Sequence, residues 1–152
     1  MDRRAMLGVL GAGAVGMAAL SGREAEAAME LDKTHEDCLK ACSDCARTCD
    51  ETFHHCYTQV AEGKRDHAKP LHYLSDCAGF CGLSACMIAR HSPLMVDSCG
   101  ACAEACRKTA AVVEKFDSEE MRRAASTLRA CEKSCTNMVV MMKAHGPSAG
   151  EK

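Results

Sequence analysis

The 152-residue chain has no tryptophan and only five aromatic residues, three phenylalanines and two tyrosines, so it lacks the large side chains that fill most apolar interiors. Proline is scarce too: Pro70, Pro93 and Pro147 are the three present, and none falls inside a long segment. Runs of β-branched residues, the usual material of sheets, are missing. No charge sign dominates. Nineteen basic and twenty-one acidic residues leave a net charge of −2, which supplies neither a nucleic-acid footprint nor a polybasic membrane patch. The Glu-x-x-His seam pair of a carboxylate-bridged di-iron bundle is absent. So are the Cys-x2-Cys-x2-Cys-x3-Cys-Pro run of iron–sulfur proteins and the βαβ setting of thioredoxin-like redox pairs. Nothing here composes a catalytic site, and the chain is not expected to be an enzyme.

What the chain has is thirteen cysteines and ten methionines. In a short secreted chain that cysteine density normally marks a disulfide scaffold. The N-terminus supports export: Arg3-Arg4 precedes an Ala/Gly-rich apolar run to Leu20, and Ala25-Glu-Ala27 offers a small-x-small cleavage site. Residues 1–27 therefore read as a signal peptide. The paired arginines resemble the twin-arginine type, with Sec export as the alternative. About fourteen apolar residues are too few to span a bilayer, which needs roughly 20. The expected location is exported, in the periplasm or the lumen of internal membranes.

Residues 28–146 divide by helix punctuation into four segments rich in Ala, Glu, Lys, Arg and Met. Helices are expected over about 32–62, 69–91, 93–116 and 118–145. Gly63 stops the first, Lys69-Pro70 and Ser92-Pro93 open the next two, Asp117 with Glu120 caps the fourth, and Gly146-Pro147 ends it. Residues 147–152 are expected to be a disordered tail. Short connections force antiparallel neighbours, so the fold expected is all-α, an antiparallel up-down-up-down four-helix bundle.

Steps of three and four residues give each helix an inward seam. On helix one the seam is Leu31, His35, Cys38, Cys42, Cys45, Cys49, Thr52 and Cys56. On helix two it is Leu74, Cys77, Cys81, Ser84, Ile88 and His91. Helix three presents Met95, Cys99, Cys102, Cys106, Thr109, Val113 and Phe116, and helix four Met121, Ala124, Leu128, Cys131, Cys135, Met138, Met142 and His145. Twelve cysteines thus line the core. Cys86 lies five residues past Cys81, about 140° off the seam of a regular helix. A π-bulge eased by Gly79 and Gly82 would bring it back as a ligand; otherwise it packs against a flanking helix.

Cysteines three or four apart on one helix have Cβ atoms roughly 5 to 6 Å apart, too far for a disulfide. Thirteen is odd, and repeated rows of thiols define no single pairing. A column of cysteine in place of leucine forfeits apolar burial at about 25 cal/mol per Å², a loss that function must explain. An all-thiolate interior with thioethers at one end suits copper(I), with zinc as the competitor. Zinc prefers loops that wrap a tetrahedron, whereas copper(I) accepts two thiolates from rigid helices. Ligand counting predicts about six ions per chain if each takes two private thiolates, and up to about thirteen if sulfurs bridge.

The antiparallel order collects His35, His91, Met95, Met138, Met142 and His145 at one end, the expected mouth for metal. Leu74, Val113, Phe116, Met121 and Leu128 should close the other. His54, His55, His67 and His72 lie off the seam and are expected in solvent.

Repeated Cys-x3-Cys pairs on four helices, thirteen cysteines and Arg3-Arg4 together resemble the exported copper storage proteins of methane-oxidising bacteria, over the whole chain. The resemblance implies copper(I) held by Cys38, Cys42, Cys45, Cys49, Cys56, Cys77, Cys81, Cys86, Cys99, Cys102, Cys106, Cys131 and Cys135. It also implies a homotetramer and copper supply to exported or membrane enzymes such as methane monooxygenase, through an accepting protein or chelator. Two other readings stay open: a metallothionein-like zinc or cadmium buffer, and a disulfide-stapled structural bundle.

Overall fold

The structure, a computed structural model, describes the backbone of residues 14–145 and the side chains of residues 22–144. Residues 1–13 of the expected signal peptide, the tail at 147–152 and the side chain of His145 lie outside the described residues. The order is α1 (Ala14–Ala61), a 3-10 turn (Arg65–His67), α2 (Ala68–Ala89), α3 (Met95–Val113) and α4 (Glu119–His145), with no strand among the described residues. The chain divides into two compact units, residues 1–33 and 34–152.

In the first unit α1 begins at Ala14, well before the start expected near residue 32. Arg23 to Glu30 reads Arg-Glu-Ala-Glu-Ala-Ala-Met-Glu, strong helix formers with no breaker, so nothing local delays the helix. Nearly all side chains from Gly22 to Lys33 are exposed. Among the described residues no helix is long and apolar enough to cross a membrane.

The second unit is the four-helix bundle. Its connections are short, and their hydrogen bonds show how each helix stops. After α1, Gly63 sits at φ 93°. Its N–H donates to the Val60 carbonyl and that of Lys64 to Gln59, both at 2.9 Å, the paired bonds of a Schellman motif. The end of α2 repeats the motif without glycine. His91 takes φ 48° while its N–H bonds to Ile88 and that of Ser92 to Met87.

The two following helices start later than expected. Pro93 lies in a turn, and α3 begins at Met95, because Ser92 is already engaged in closing α2 and its Oγ accepts from the Leu94 N–H. The cap of α4 is Ser118, whose Oγ accepts from the Met121 N–H at 3.3 Å, in place of Asp117. Ser118 stands three residues before Met121, the spacing of an N-cap to N3 bond.

The buried interior follows the seams. Cysteines fill its middle, with Leu74, Val113, Met121 and Leu128 toward one end and Ile88, Met95 and Met138 toward the other. Surface ion pairs decorate the outside. The Arg129 guanidinium bridges to both Glu114 carboxylate oxygens at 2.8 and 2.9 Å, and Arg123 reaches Glu51 across α4 and α1 at 3.1 Å. Exposed pairs of this kind contribute about 0–1 kcal/mol each, so packing around the thiols decides the fold.

A candidate metal centre built from core thiols

Each helix delivers its cysteines to the axis at steps of three and four, and antiparallel pairing sets them level with one another. Between α1 and α4, Cys38 lies 3.8 Å from Cys135 and Cys42 lies 4.0 Å from Cys131, sulfur to sulfur. Between α2 and α3, Cys77 lies 3.6 Å from Cys106 and Cys81 lies 3.5 Å from Cys102. Every step up one helix is matched by a step down its neighbour. The seams therefore stack as tiers: Cys38, Cys99 and Cys135 with Ser84; then Cys42, Cys81, Cys102 and Cys131; then Cys45, Cys77 and Cys106 with Leu128. Cys49 follows alone.

Diagonal contacts tie the tiers together. Cys42 approaches Cys135 at 3.4 Å and Cys81 approaches Cys106 at 3.6 Å, while within the third tier Cys45 approaches Cys106 at 3.9 Å. Four groups have all their sulfurs within 4.8 Å of one another. They are Cys38/Cys99/Cys135, Cys42/Cys102/Cys131/Cys135, Cys81/Cys102/Cys106/Cys131 and Cys45/Cys77/Cys81/Cys106. Cys81, Cys102, Cys106, Cys131 and Cys135 each belong to two groups, so the sulfurs form one connected column. All thirteen cysteines are free thiols, and the closest sulfurs stand well beyond a disulfide bond of about 2.05 Å.

Thiols packed this closely cannot ionise together, because a second charge a few ångströms away in a dry interior is too costly. Hydrogen bonding sorts them. Cys38 is held far below the ordinary thiol range by its contact with Cys135, and Cys77 and Cys102 by theirs with Cys106. Cys45 falls to about 2, chiefly through Cys106, and Cys131 falls far, chiefly through Cys102. Their partners move the other way. Cys42, Cys81, Cys106 and Cys135 are all driven up, foremost by Cys102, and Cys49 by Cys45. Cys99 reaches about 12: its bond to Cys135 pulls it down, but Cys38 and burial outweigh that. An arriving soft cation displaces protons from the thiols it binds.

Cys56 stands apart from the column. Its sulfur lies 3.8 Å from the Met121 thioether, both residues being fully buried. Met121, read from sequence as apolar closure, is thus also a soft donor, and its seam position two turns beyond Leu128 was the available clue. Burial alone pushes the Cys56 thiol from 9.0 up to about 11. The folded protein then holds this proton more tightly than the unfolded chain. The resulting stability is complete below the unfolded value and is lost as pH rises from about 9 to about 11, roughly 3 kcal/mol in all. Unfolding midpoints of the copper-free protein across that range should fall less steeply in Cys56→Ala than in wild type.

Cys86 is exposed and joins none of the four groups. The α2 helix runs unbroken from Ala68 to Ala89 without a π-bulge, so the five-residue step from Cys81 carries Cys86 off the seam, and the ligand role considered for it finds no support in the geometry.

The Met/His end assembles in part. His35, Met95 and Met138 are buried, Met138 completely. The His35 and His91 rings lie 5.1 Å apart, with His91 itself exposed and Met142 half-buried. At the opposite end Leu74, Val113, Met121 and Leu128 are buried and Phe116 half-buried. Two histidines there depart from expectation. His54 and His72 are exposed, but His55 and His67 are half-buried, their rings 5.9 Å apart with Phe116 4.6 Å from His67. The 3-10 turn carries His67 back over the bundle end, a placement no helical period encodes. Burial and then the nearby His55 lower the pKa of His67.

Comparison with known proteins agrees with the donor set. The pattern of the family described as Csp, copper storage protein, matches residues 31–140. An uncharacterised cysteine-rich protein of Bacillus subtilis, YhjQ, is 26% identical over 110 residues, covering 71% of this chain and 98% of its own. Among solved structures, the Nmul_A1745 protein of Nitrosospira multiformis is 30% identical with a TM-score of 0.65, covering 73% of this chain and 99% of its own. A Cu(I)-bound copper storage protein, BsCsp3, superposes with a TM-score of 0.66 at 24% identity, over 70% of this chain and 98% of its own. With the family pattern spanning most of the chain and the thiol column at its centre, this chain belongs to the copper storage protein family.

Proposed function

We propose that the chain is a store for many copper(I) ions, held along the axis of its bundle by shared cysteine thiolates. The observation that carries this reading is the overlap of the sulfur groups. A metal–sulfur bond of about 2.3 Å places two sulfurs on one ion about 4.6 Å apart when linear, about 4.0 Å when trigonal and about 3.8 Å when tetrahedral. The observed contacts of 3.4 to 4.0 Å need only small adjustments to reach these values. Zinc must gather four sulfurs tetrahedrally around each ion, shared or not, and five of the sulfurs here belong to two groups, which makes the donors one continuous row. Copper(I) is satisfied by two or three sulfurs, so such a row holds more copper(I) than an ion that must gather four, and storage capacity favours copper(I) over a zinc or cadmium buffer.

The same reading extends to traffic. Copper enters and leaves at the end marked by His35, His91, Met95 and Met138, with Met142 and His145 completing it. The Arg3-Arg4 leader supports export to the periplasm or an internal-membrane lumen, by the twin-arginine route. The recipient is an exported or membrane copper enzyme such as methane monooxygenase, reached through a protein or chelator, and the working form is a homotetramer. Storage requires no reaction, and no catalysis belongs to this role.

Anaerobic titration of the reduced protein with copper(I) against a chromophoric chelator tests the central claim. Between about six and twelve ions withheld per chain is the expected result, from two private thiolates per ion up to one bridging thiolate per ion. One ion or none would overturn it, as would a full exchange of bound copper for equimolar zinc.

A further inference from the structure

Among the described residues, the hydroxyls of Ser43, Thr52, Thr58, Thr109, Thr127 and Thr136 donate back to the carbonyl four residues earlier. This is the common way for a helical serine or threonine to satisfy itself. Ser98, also buried, donates to the Met95 carbonyl at 3.0 Å. Ser84 does neither. It is completely buried, and its Oγ has no hydrogen-bond partner. A buried hydroxyl without a partner is costly and calls for a reason.

Its place in the bundle supplies one. Cys77 faces Cys106 and Cys81 faces Cys102, so the next seam step up α2 sets Ser84 level with Cys99. That tier holds three cysteines, Cys38, Cys99 and Cys135, from α1, α3 and α4. Ser84 is the fourth helix's contribution, and it is the tier nearest the His35/Met138 end. In the empty protein no sulfur of that tier accepts a hydrogen bond from it. Loading copper(I) displaces the protons that remain in that tier, so that all its sulfurs are thiolates, which accept strongly.

We infer that Ser84 is a positioning residue for the outermost thiol tier, its hydroxyl idle in the empty protein and donating to a copper-bound thiolate of Cys38, Cys99 or Cys135 in the loaded one. The serine keeps its proton throughout, and the protons released on loading come from the cysteines. This rests on the copper-store reading. A hydroxyl that orients and neutralises a metal-bound sulfur acts as an outer partner of the site, and at this tier it would steady the ions first to face a chelator.

The test pairs Ser84→Ala with Ser98→Ala. Both changes gain the same helix propensity, and they differ in whether a satisfied hydroxyl is lost. In the copper-free protein Ser84→Ala should raise the thermal midpoint by about 5 °C relative to Ser98→Ala. In the loaded protein it should release its most accessible ions to a chelator at about tenfold lower chelator concentration than wild type, with Ser98→Ala matching wild type. A copper-free midpoint no higher than that of Ser98→Ala, or copper retention equal to wild type, overturns the role of Ser84 while leaving the store intact. Wild type withholding one ion or none overturns both.

Discussion

Replacing Cys102 and Cys131 together by alanine is expected to remove about three or four copper ions per chain, more than the two that private ligands could account for. Each of these sulfurs belongs to two of the four groups. If every ion sits between two sulfurs and every sulfur bridges two ions, deleting a sulfur disables both of its ions. The pair meets in two of the groups and shares some of those ions, which brings the loss below four in part. The same anaerobic titration measures it. Cys86→Ser is the natural comparison, because its side chain faces solvent and its loss should leave the count unchanged. A deficit of two ions or fewer in the double variant would mean that the thiolates do not bridge.

Copper loading should raise the thermal unfolding midpoint by at least about 20 °C. The empty core is rich in thiols and poor in hydrocarbon, with four leucine or isoleucine and valine side chains, Leu74, Leu128, Ile88 and Val113, among its largest fully buried members. Each ion that binds the folded chain at a hundredfold excess over its dissociation constant adds about 2.7 kcal/mol. Several such ions exceed the usual 5–15 kcal/mol of a domain. One kcal/mol corresponds to roughly 2–8 °C at this size. Unfolded thiols also bind copper and reduce the gain, which is why a far larger shift is not expected. Differential scanning calorimetry of empty and loaded protein under anaerobic conditions reads the difference. Equal midpoints would show that the ions sit on the surface or bind the unfolded chain equally well.

Much of the site was legible before any coordinates. Twelve cysteines at steps of three and four on four punctuated segments could only share one axis, because helical period and side-chain direction are local properties. The placement of Cys86 was open for the same local reason. A π-bulge depends on whether the surrounding packing rewards it, and the unbroken α2 shows that it does not. The helix starts moved by a residue or more where two caps compete for one serine, as at Ser92, or where Ser118 stands beside Asp117.

Composition and period alone determined an all-α bundle, a cysteine seam, the polarity of its two ends and a preference for soft metal. Tertiary structure decided the register. Which sulfurs meet, that five are shared between groups, that Ser84 and Leu128 occupy the fourth places of their tiers, and that Cys56 pairs with Met121 all depend on how far one helix is shifted along another. So does the half-burial of His55 and His67. Those shifts follow from loop geometry at Gly63, His91 and Ser118 and from packing across the core, interactions between residues far apart in sequence that no single helix encodes.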